Sequence, residues 1–482
     1  MERRGARLVA QPKTTTSVHA EGPFKGYARL DWIHEVAKER PSERFTSLVH
    51  HFNEANLKRA FQELSGSKAP GIDRVTKDQY RKDLDANIEA LARALRENRY
   101  RPQPSRQVLI PKPQGGTRPL AVGCLEDKIV QTLAARILEA LFEPLFSRHS
   151  YGFRRGKSAH QAVGRLYETI YDRKDSCVAV EMDIEKFFDS VDHEWLMGKL
   201  ATRIVDPNFL KLIRTLLRAD VLKASGELVP TELGTPQGSP VSPVLANIYL
   251  HFLLDEWFRQ NHHASGRMIR YADDAVFVFD DLETAEKFRA ALVERMAEGK
   301  LRLNLDKSSI VPFSRRKPQG TIAFLGFEYH WGRDAARRRI LKLKTQPKRF
   351  SRSVSAFTDW IKTTRNRMKL DRLWQGARAR LSGHFNYFGV RFNSEKLSHF
   401  HHLCVGALFK WLNRRSQRRS FTWQRFERRL AFLPLPSPPF GQDLRDISSE
   451  QSSLKHKPKS RMRETRTSGS VRSVGRQRPA FT

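Results

Sequence analysis

The chain has 482 residues, enough for two or three domains, each with its own buried core. Lysine and arginine number 87 against 52 aspartates and glutamates, and the net charge of +35 suits a long polyanionic partner. That charge alone would also fit a ribosomal protein or a membrane-surface binder, but no apolar run approaches the length of about eighteen residues that a membrane span needs.

The N-terminal MERRGARLVAQPKTTT lacks the apolar stretch of a secretion signal, so a cytoplasmic location without membrane partners is expected. Cys124, Cys177 and Cys404 lie far apart and form no CxxC pair, so neither a disulfide framework nor a structural zinc site is indicated. Residues 1–43 are polar and irregular, broken by Pro12, Pro23 and Pro41, and read as a flexible tail. Arg44 to Leu64 has apolar residues at helical spacing (Leu48, Phe52, Leu57, Ala60, Phe61, Leu64), and residues 77–98 read as a second amphipathic helix. Between them, Asp73 and Arg74 lie in KAPGIDRVT, a Gly/Pro-containing loop in which Asp73 can cap its own backbone. Arg106 to Leu120 places two strand-like runs around Pro113-Gln114-Gly115-Gly116, a hairpin by its turn residues, with Lys112 and Arg118 on either side. A lysine point charge and a planar guanidinium there could both reach a triphosphate, or both could be solvated.

Asp127 to Phe146 reads as a core helix. In SYGFRRGKSAHQAV, Arg154, Arg155 and Lys157 stand beside Tyr151 and Phe153, a mixture suited to gripping a nucleic-acid strand by phosphate charge and base stacking; His160 is given no chemistry. CVAVEMDI (Cys177 to Ile184) alternates like a strand with one buried face and ends at Asp183, before Phe187 and Phe188. Asp192 reads as a helix N-cap. Gly234 to Pro243 (GTPQGSPVSP) is a rigid loop leading into a helix. There Gly238 permits close backbone approach, and Gln237 offers an uncharged donor and acceptor.

Met268 to Phe279 (MIRYADDAVFVF) is two β-rich runs around a tight turn, so Tyr271 to Asp274 presents adjacent carboxylates at a hairpin tip. Asp pairs are common in ordinary turns because Asp caps its own backbone. A third carboxylate at the end of another strand, Asp183, favours a site of hard oxygen ligands. Two Mg²⁺ ions about 4 Å apart, held by such carboxylates, are the usual means of in-line phosphoryl transfer. After the amphipathic helix LETAEKFRAALVERMAEG comes LRLNLDKSSI, with Lys307 at the close of a strand-like run.

YADD, an upstream strand Asp followed by FFD, GTPQGSPVSPVLANIYL and LNLDKS, in that order, resemble the reverse transcriptase of a mobile group II intron. The resemblance covers residues 44–330 with specific motifs and continues with weaker ones to about 430. It implies an α+β right-hand polymerase, fingers and palm with an antiparallel sheet, followed by an α-helical thumb or maturase domain at 341–416, a basic nucleic-acid-binding segment at 417–439 and a disordered basic tail at 440–482. It also implies two Mg²⁺ (or Mn²⁺) on Asp183, Asp273 and Asp274, with Ile184 as a further metal contact and Ala272 contributing only its carbonyl's proximity. Lys112, Arg118, Gln237 and Gly238 would bind the incoming deoxynucleoside triphosphate, Phe188 would bar a 2′-hydroxyl, and Lys307 would protonate the departing pyrophosphate. FLGFEYH (Phe324 to His330) resembles the primer grip, and LSGHFNYFGVRFN the segment that follows the palm. The implied partners are intron RNA and a DNA primer or target. Many members carry a C-terminal nuclease module with paired Cys and His, a pattern this sequence lacks. A catalytically silent RNA-binding splicing chaperone, and a reverse transcriptase domesticated for a retron, diversity-generating or defence role, stay open as alternatives.

Overall fold

The computed structural model describes residues 23–111, 116–173, 175–318, 320–415 and 422–439. Four helices, α1 (Leu30–Glu39), α2 (Glu54–Glu63), α3 (Lys77–Arg81) and α4 (Leu84–Arg96), lead into the hairpin β1 (Ser105–Pro111) and β2 (Thr117–Val122). Helices α5 (Leu125–Phe142) and α6 (Ala159–Asp172) precede β3 (Ser176–Met182), the single turn α7 (Phe187–Ser190), α8 (His193–Ala201), α9 (Pro207–Leu217) and the short β4 (Val221–Leu222) and β5 (Leu228–Val229). Helix α10 (Ser242–Leu250) runs through a π-helical turn, His251–Asp255, into α11 (Glu256–Asn261). Strands β6 (Gly266–Tyr271) and β7 (Asp274–Phe279), helix α12 (Leu282–Glu298) and strands β8 (Ile310–Ser314), β9 (Ile322–Phe324), β10 (Phe327–Arg333) and β11 (Arg339–Thr345) follow. The chain closes with helices α13 (Pro347–Thr364), α14 (Leu370–Phe388), α15 (Ser394–Leu412) and α16 (Trp423–Phe432).

The strands form three sheets, ordered β2-β1-β4-β5, β6-β7-β3-β8 and β11-β10-β9, antiparallel throughout except for the two-residue β1–β4 pairing. The second sheet carries both acidic motifs. Strands β3 and β7 are buried along nearly their whole length rather than on one face as expected for Cys177 to Ile184, because one face of the sheet packs on α12 and the other on α6. Helix α5 lies at the centre of the N-terminal half. Ile129, Leu133, Ile137, Leu138, Leu141 and Phe142 are fully buried as the apolar spacing implies, but so are Val130, Ala134 and Ala140, because α1, α2 and α10 enclose the helix on its other sides.

Several expected boundaries move. Residues 23–43 are folded rather than a tail: Phe24, Tyr27, Leu30, Ile33 and Ala37 are buried, and α1 packs on α5. The helix expected over 44–64 begins only at Glu54, where Asn53 caps it by accepting from the Asn56 amide. Ahead of it the chain is pinned to α9 instead. One oxygen of Asp206 accepts from the Leu48 and Val49 amides, and the other caps α9 at Asn208 and Phe209. The stretch 77–98 is two helices, broken at Lys82 and Asp83. The region after 330 first completes a β10–β11 hairpin, so helix begins only at Pro347 rather than 341, and α13, α14 and α15 fill 347–412. The expected basic segment 417–439 contains α16, whose Phe426 is fully buried against Trp374 and Phe409. Residues 440–482 lie outside the described residues.

The largest fully buried side chain is an arginine, Arg270 on β6. Its Nε and Nη2 donate to the two carboxylate oxygens of Asp255 at 2.7 and 2.6 Å, and its Nη1 donates to Asn247 Oδ1 at 3.1 Å and to the Ala272 carbonyl at 2.9 Å. Asp255 sits at the end of the π-helical turn, and Asn247 lies two turns earlier on α10, its amide donating to the Gly152 carbonyl at 2.8 Å. All three guanidinium nitrogens donate, as a charge so far from water requires. Replacing Arg270 by Met strands the Asp255 carboxylate in the core. A loss of about 3–5 kcal/mol is expected, read as a fall in the urea midpoint, and adding Asp255→Leu in the same chain should recover a large part of it.

Candidate active site

The turn of the β6–β7 hairpin is Ala272-Asp273, with Tyr271 and Asp274 as its closing pair. Ala272 adopts φ +58°, in the left-handed region that non-glycine residues enter only when their surroundings hold them there. Two contacts do so here. Arg270 donates to the Ala272 carbonyl from below, and Gly152 presses so close that a Cβ on it would lie 2.3 Å from the Ala272 nitrogen. The SYGF stretch thus touches the acidic turn through backbone, which explains the glycine at 152.

Strand β7 pairs with β3 as well, in a register whose last rung is Met182 with Ala275. One residue past that rung come Asp183, just beyond β3, and Asp274, the first residue of β7, near enough for the charge of one to act on the other. The Asp183 backbone is fixed by the loop after α12: its carbonyl accepts from the Asn304 amide at 2.9 Å, and its amide donates to Ser308 Oγ at 3.2 Å. Lys307 Nζ lies 3.1 Å from Asp183 Oδ2, in a turn rather than at the close of a strand.

The carboxylates crowd one another. Asp274, open to solvent on one side but walled by protein on the others, is pushed up to about 7, first by its removal from water and then by the charges of Asp273 and Asp183, with Lys307 opposing. Asp273 is also raised, by burial and by Asp183, against the pull of Arg118 and Arg270. Among the described residues no three His, Cys, Asp or Glu side chains form a ready-made metal cage. A donor set of hard oxygens that repel one another fits divalent cations, whose charge would remove the repulsion. The Ile184 side chain is buried and its backbone bridges to Leu303, so only its carbonyl could serve a metal.

The other sequence-nominated residues converge from two directions. The Thr235 amide donates to the Phe188 carbonyl at 2.6 Å, and the Ala121 amide of β2 donates to the Gln237 carbonyl at 2.8 Å. Gly238 has φ +109°, and a Cβ there would meet the Ala121 carbonyl at 2.9 Å, so the loop lies flat on the β1–β2 hairpin. Gln237 Nε2 donates to Asp189 Oδ1 at 3.4 Å. Arg118, exposed on β2, is close enough to act on the Asp273 carboxyl. Lys112 lies outside the described residues. Of the FF pair, Phe187 is buried and Phe188 half-buried, its ring edge-on to the exposed Phe153 at 6.2 Å.

The family described as Reverse transcriptase (RNA-dependent DNA polymerase) matches residues 110–329, the span that holds all of these contacts. The chain is 31% identical to Protein YkfC of Escherichia coli over 51% of this chain and 73% of that protein. It is 32% identical to the group II intron-encoded protein LtrA of Lactococcus lactis over 47% of this chain and 37% of LtrA. The chain belongs to the group II intron reverse transcriptase and maturase family. A third relative, an uncharacterized 91 kDa protein in a cob intron of Schizosaccharomyces pombe, is 41% identical over 35% of this chain and 20% of its own length. The chain therefore spans only a fifth to about a third of two of these three relatives.

Two arginines expected to contact nucleic acid are engaged elsewhere. Arg154 is buried, forks onto Glu143, donates to the Ser147 and Ser150 carbonyls at 2.6 Å and lies over the Phe146 ring. Its fork geometry is spent on building the loop, which corrects the expected role. Arg155 faces Glu63 and Glu139 and donates to the Pro23 carbonyl, tying the N-terminal segment to α2 and α5. Lys157 lies over the Tyr151 ring at 5.4 Å. His160 meets the Tyr387 carbonyl at 2.7 Å, a packing role in line with the sequence reading.

Sequence reasoning missed Arg270, Asn247 and Glu181. Glu181, on the same face of β3 as Asp183, accepts from Ser309 Oγ and from the Ala323 amide of β9, joining two sheets. The available signal was a charged residue on a strand between apolar neighbours, as in MIRY and AVEM.

A raised carboxyl penalises folding once the unfolded chain ionises and the folded one does not. For Asp274 that penalty begins near pH 4, grows to about pH 7 and is constant above. The melting temperature of Asp274→Asn without divalent ions is therefore expected to exceed the parent's by a margin that widens over that window and then levels off. A margin independent of pH would contradict the assigned crowding.

Proposed function

We propose that this chain copies RNA into DNA by nucleotidyl transfer at the end of the β3–β7 ladder, and that it assists the splicing and mobility of a group II intron by binding the intron RNA. The observation that carries the reading is the position of Asp183 beside Asp274, at the sheet end faced by Arg118 and bordered by the Gln237 loop. In this reading the sheet β6-β7-β3-β8 is the palm of a right-hand polymerase, the β1–β2 hairpin belongs to the fingers, β9–β10 is the primer grip and α13 to α15 form the thumb.

Asp183, Asp273 and Asp274 would hold two Mg²⁺, with the Ile184 carbonyl alongside. Such ions activate a hydroxyl and stabilise charge on a leaving pyrophosphate when bound. The chain's own groups do the rest. Arg118 presents a planar donor fork to the triphosphate, and Lys112 would add a point charge. The loop at Gln237 and Gly238 lies flat enough for a base and sugar to pass over backbone. Phe188, anchored by its buried neighbour Phe187 and held through its carbonyl by Thr235, supports the sugar and leaves no room for a 2′-hydroxyl. Lys307, already 3.1 Å from Asp183, can deliver a proton to the departing pyrophosphate. The β9–β10 turn, with Leu325 at φ +50° and Gly326 at φ +83°, is held by the Tyr387 hydroxyl on the Leu325 carbonyl and by the Gln346 amide on the Gly326 carbonyl. A rigid turn there suits a role in steadying the primer end.

Asp273→Asn is expected to cut template-dependent incorporation on an RNA template by about a thousandfold or more, the equivalent of several kcal/mol of lost transition-state stabilisation. Its affinity for intron RNA should stay at the parent's value. An RNA-binding chaperone without catalysis would give no incorporation in either protein. Phe188→Ala is expected to raise the use of ribonucleotides relative to deoxynucleotides, measured by single-nucleotide extension; an unchanged ratio would remove Phe188 from the sugar gate.

A further inference from the structure

Phe153 carries two costs at once. Its phenyl ring is 48% exposed, and its backbone adopts φ +58°, a conformation that disfavours any residue with a Cβ by roughly tenfold. Asn or Gly in its place would avoid both. The neighbouring residues hold it there. The Tyr151 amide donates to the Arg270 carbonyl at 2.9 Å, the Gly152 carbonyl accepts from Asn247 at 2.8 Å, and the Arg154 side chain forks onto Glu143. Left-handed backbone fixed in this way from both sides gathers where a side chain has work to do at a site.

The ring that Phe153 meets is Phe188, edge-on, with centroids 6.2 Å apart and planes at 75°. Phe188 also contacts the buried Phe187, at 5.5 Å and 63°. The Phe188 carbonyl is tied down by the Thr235 amide, but the residue sits on the single turn α7 and its side chain is only half-buried. Side chains open to water change rotamer within about nanoseconds, so the packing of Phe187 and Phe153 is what limits this ring. The pair also spans the site. Gly152, next to Phe153, presses on Ala272 of the acidic turn, and Thr235, held by Phe188, leads into the Gln237 loop.

We propose that Phe153 is a positioning residue for sugar discrimination: its ring edge buttresses the Phe188 ring and keeps it where a 2′-hydroxyl would have to sit. The proposal rests on the reading of Phe188 as the sugar gate. A bar against one hydroxyl works only while the ring is held to a fraction of an ångström, and a ring packed on the Phe187 side alone can swing outward. The exposure and the left-handed backbone of Phe153 are then the cost of placing a second aromatic wall beside the acidic turn.

The test measures, in the full chain, the ratio of kcat/KM for a ribonucleotide to that for the matching deoxynucleotide, a quantity from which a general loss of activity cancels. An edge-to-face pair is worth about twofold to tenfold in ring position, so Phe153→Ala should raise the ratio by about that factor. Phe153→Tyr, which keeps the ring, should hold the parent's value. The double variant Phe153→Ala, Phe188→Ala should match Phe188→Ala alone, because the buttress acts only through the gate. Phe153→Gly takes φ +58° without strain, so it should melt no lower than Phe153→Ala and show the same raised ratio, which carries the test if the alanine variant folds poorly. A raised ratio in Phe188→Ala with the parent's ratio in both Phe153→Ala and Phe153→Gly overturns the buttress and leaves the gate standing. Additive effects in the double variant, or an equal rise in Phe153→Tyr, also overturn it. The parent's ratio in Phe188→Ala removes the gate, and the buttress with it.

Discussion

The Arg270 guanidinium, sealed from water between a strand and a helix, fixes the position of everything around it. One side chain grips the end of the π-helical turn through Asp255, the body of α10 through Asn247, and the acidic turn through the Ala272 carbonyl. Buried ion pairs of this kind give little net stability, because desolvation cancels most of the attraction. Their value here is geometric: alternative packings of α10 against β6 would leave a bare charge in the core. The turn so fixed must hold carboxylates that repel one another, and a loosely held loop would relieve that repulsion by moving apart.

The arrangement also explains why distant segments meet near the acidic turn. Glu181 ties β3 to β9, Tyr387 reaches from α14 to the β9–β10 turn, and Gly152 brings the segment before α6 against Ala272. The C-terminal helices are thus joined to the sheet that carries the acidic turn by specific hydrogen bonds as well as by apolar packing. A shift of α14 would pull on the β9–β10 turn through the Tyr387 hydroxyl on the Leu325 carbonyl.

Much of this was legible in the sequence where local chemistry and tertiary packing agree. The YADD hairpin, the strand ending at Asp183, the Asp192 cap and the helix ending before Gly299 follow from periodicity and turn residues alone. Misreadings arose where a residue type serves two purposes. Arg154 in a basic, aromatic stretch has the composition of a nucleic-acid grip, yet a glutamate eleven residues earlier and two carbonyls claim it. The apolar spacing before Asn53 is helical, but Asp206, over 150 residues away, draws those amides into another conformation. Residues 23–29 look too polar to fold, yet their two aromatic residues, Phe24 and Tyr27, are both buried in the core.

The π-helical turn at His251–Asp255 has a consequence for how this chain can vary. It accommodates one residue more than an α-helical path would need, and that surplus sets the rotation at which Asp255 meets Arg270. The exposed side chains at the end of α11, Arg259 and Gln260, can change freely, whereas α10 is buried along its length. Removing a single residue from the turn would swing the carboxylate about 100° around the helix axis, so insertions and deletions, far more than substitutions, are what this helix cannot absorb.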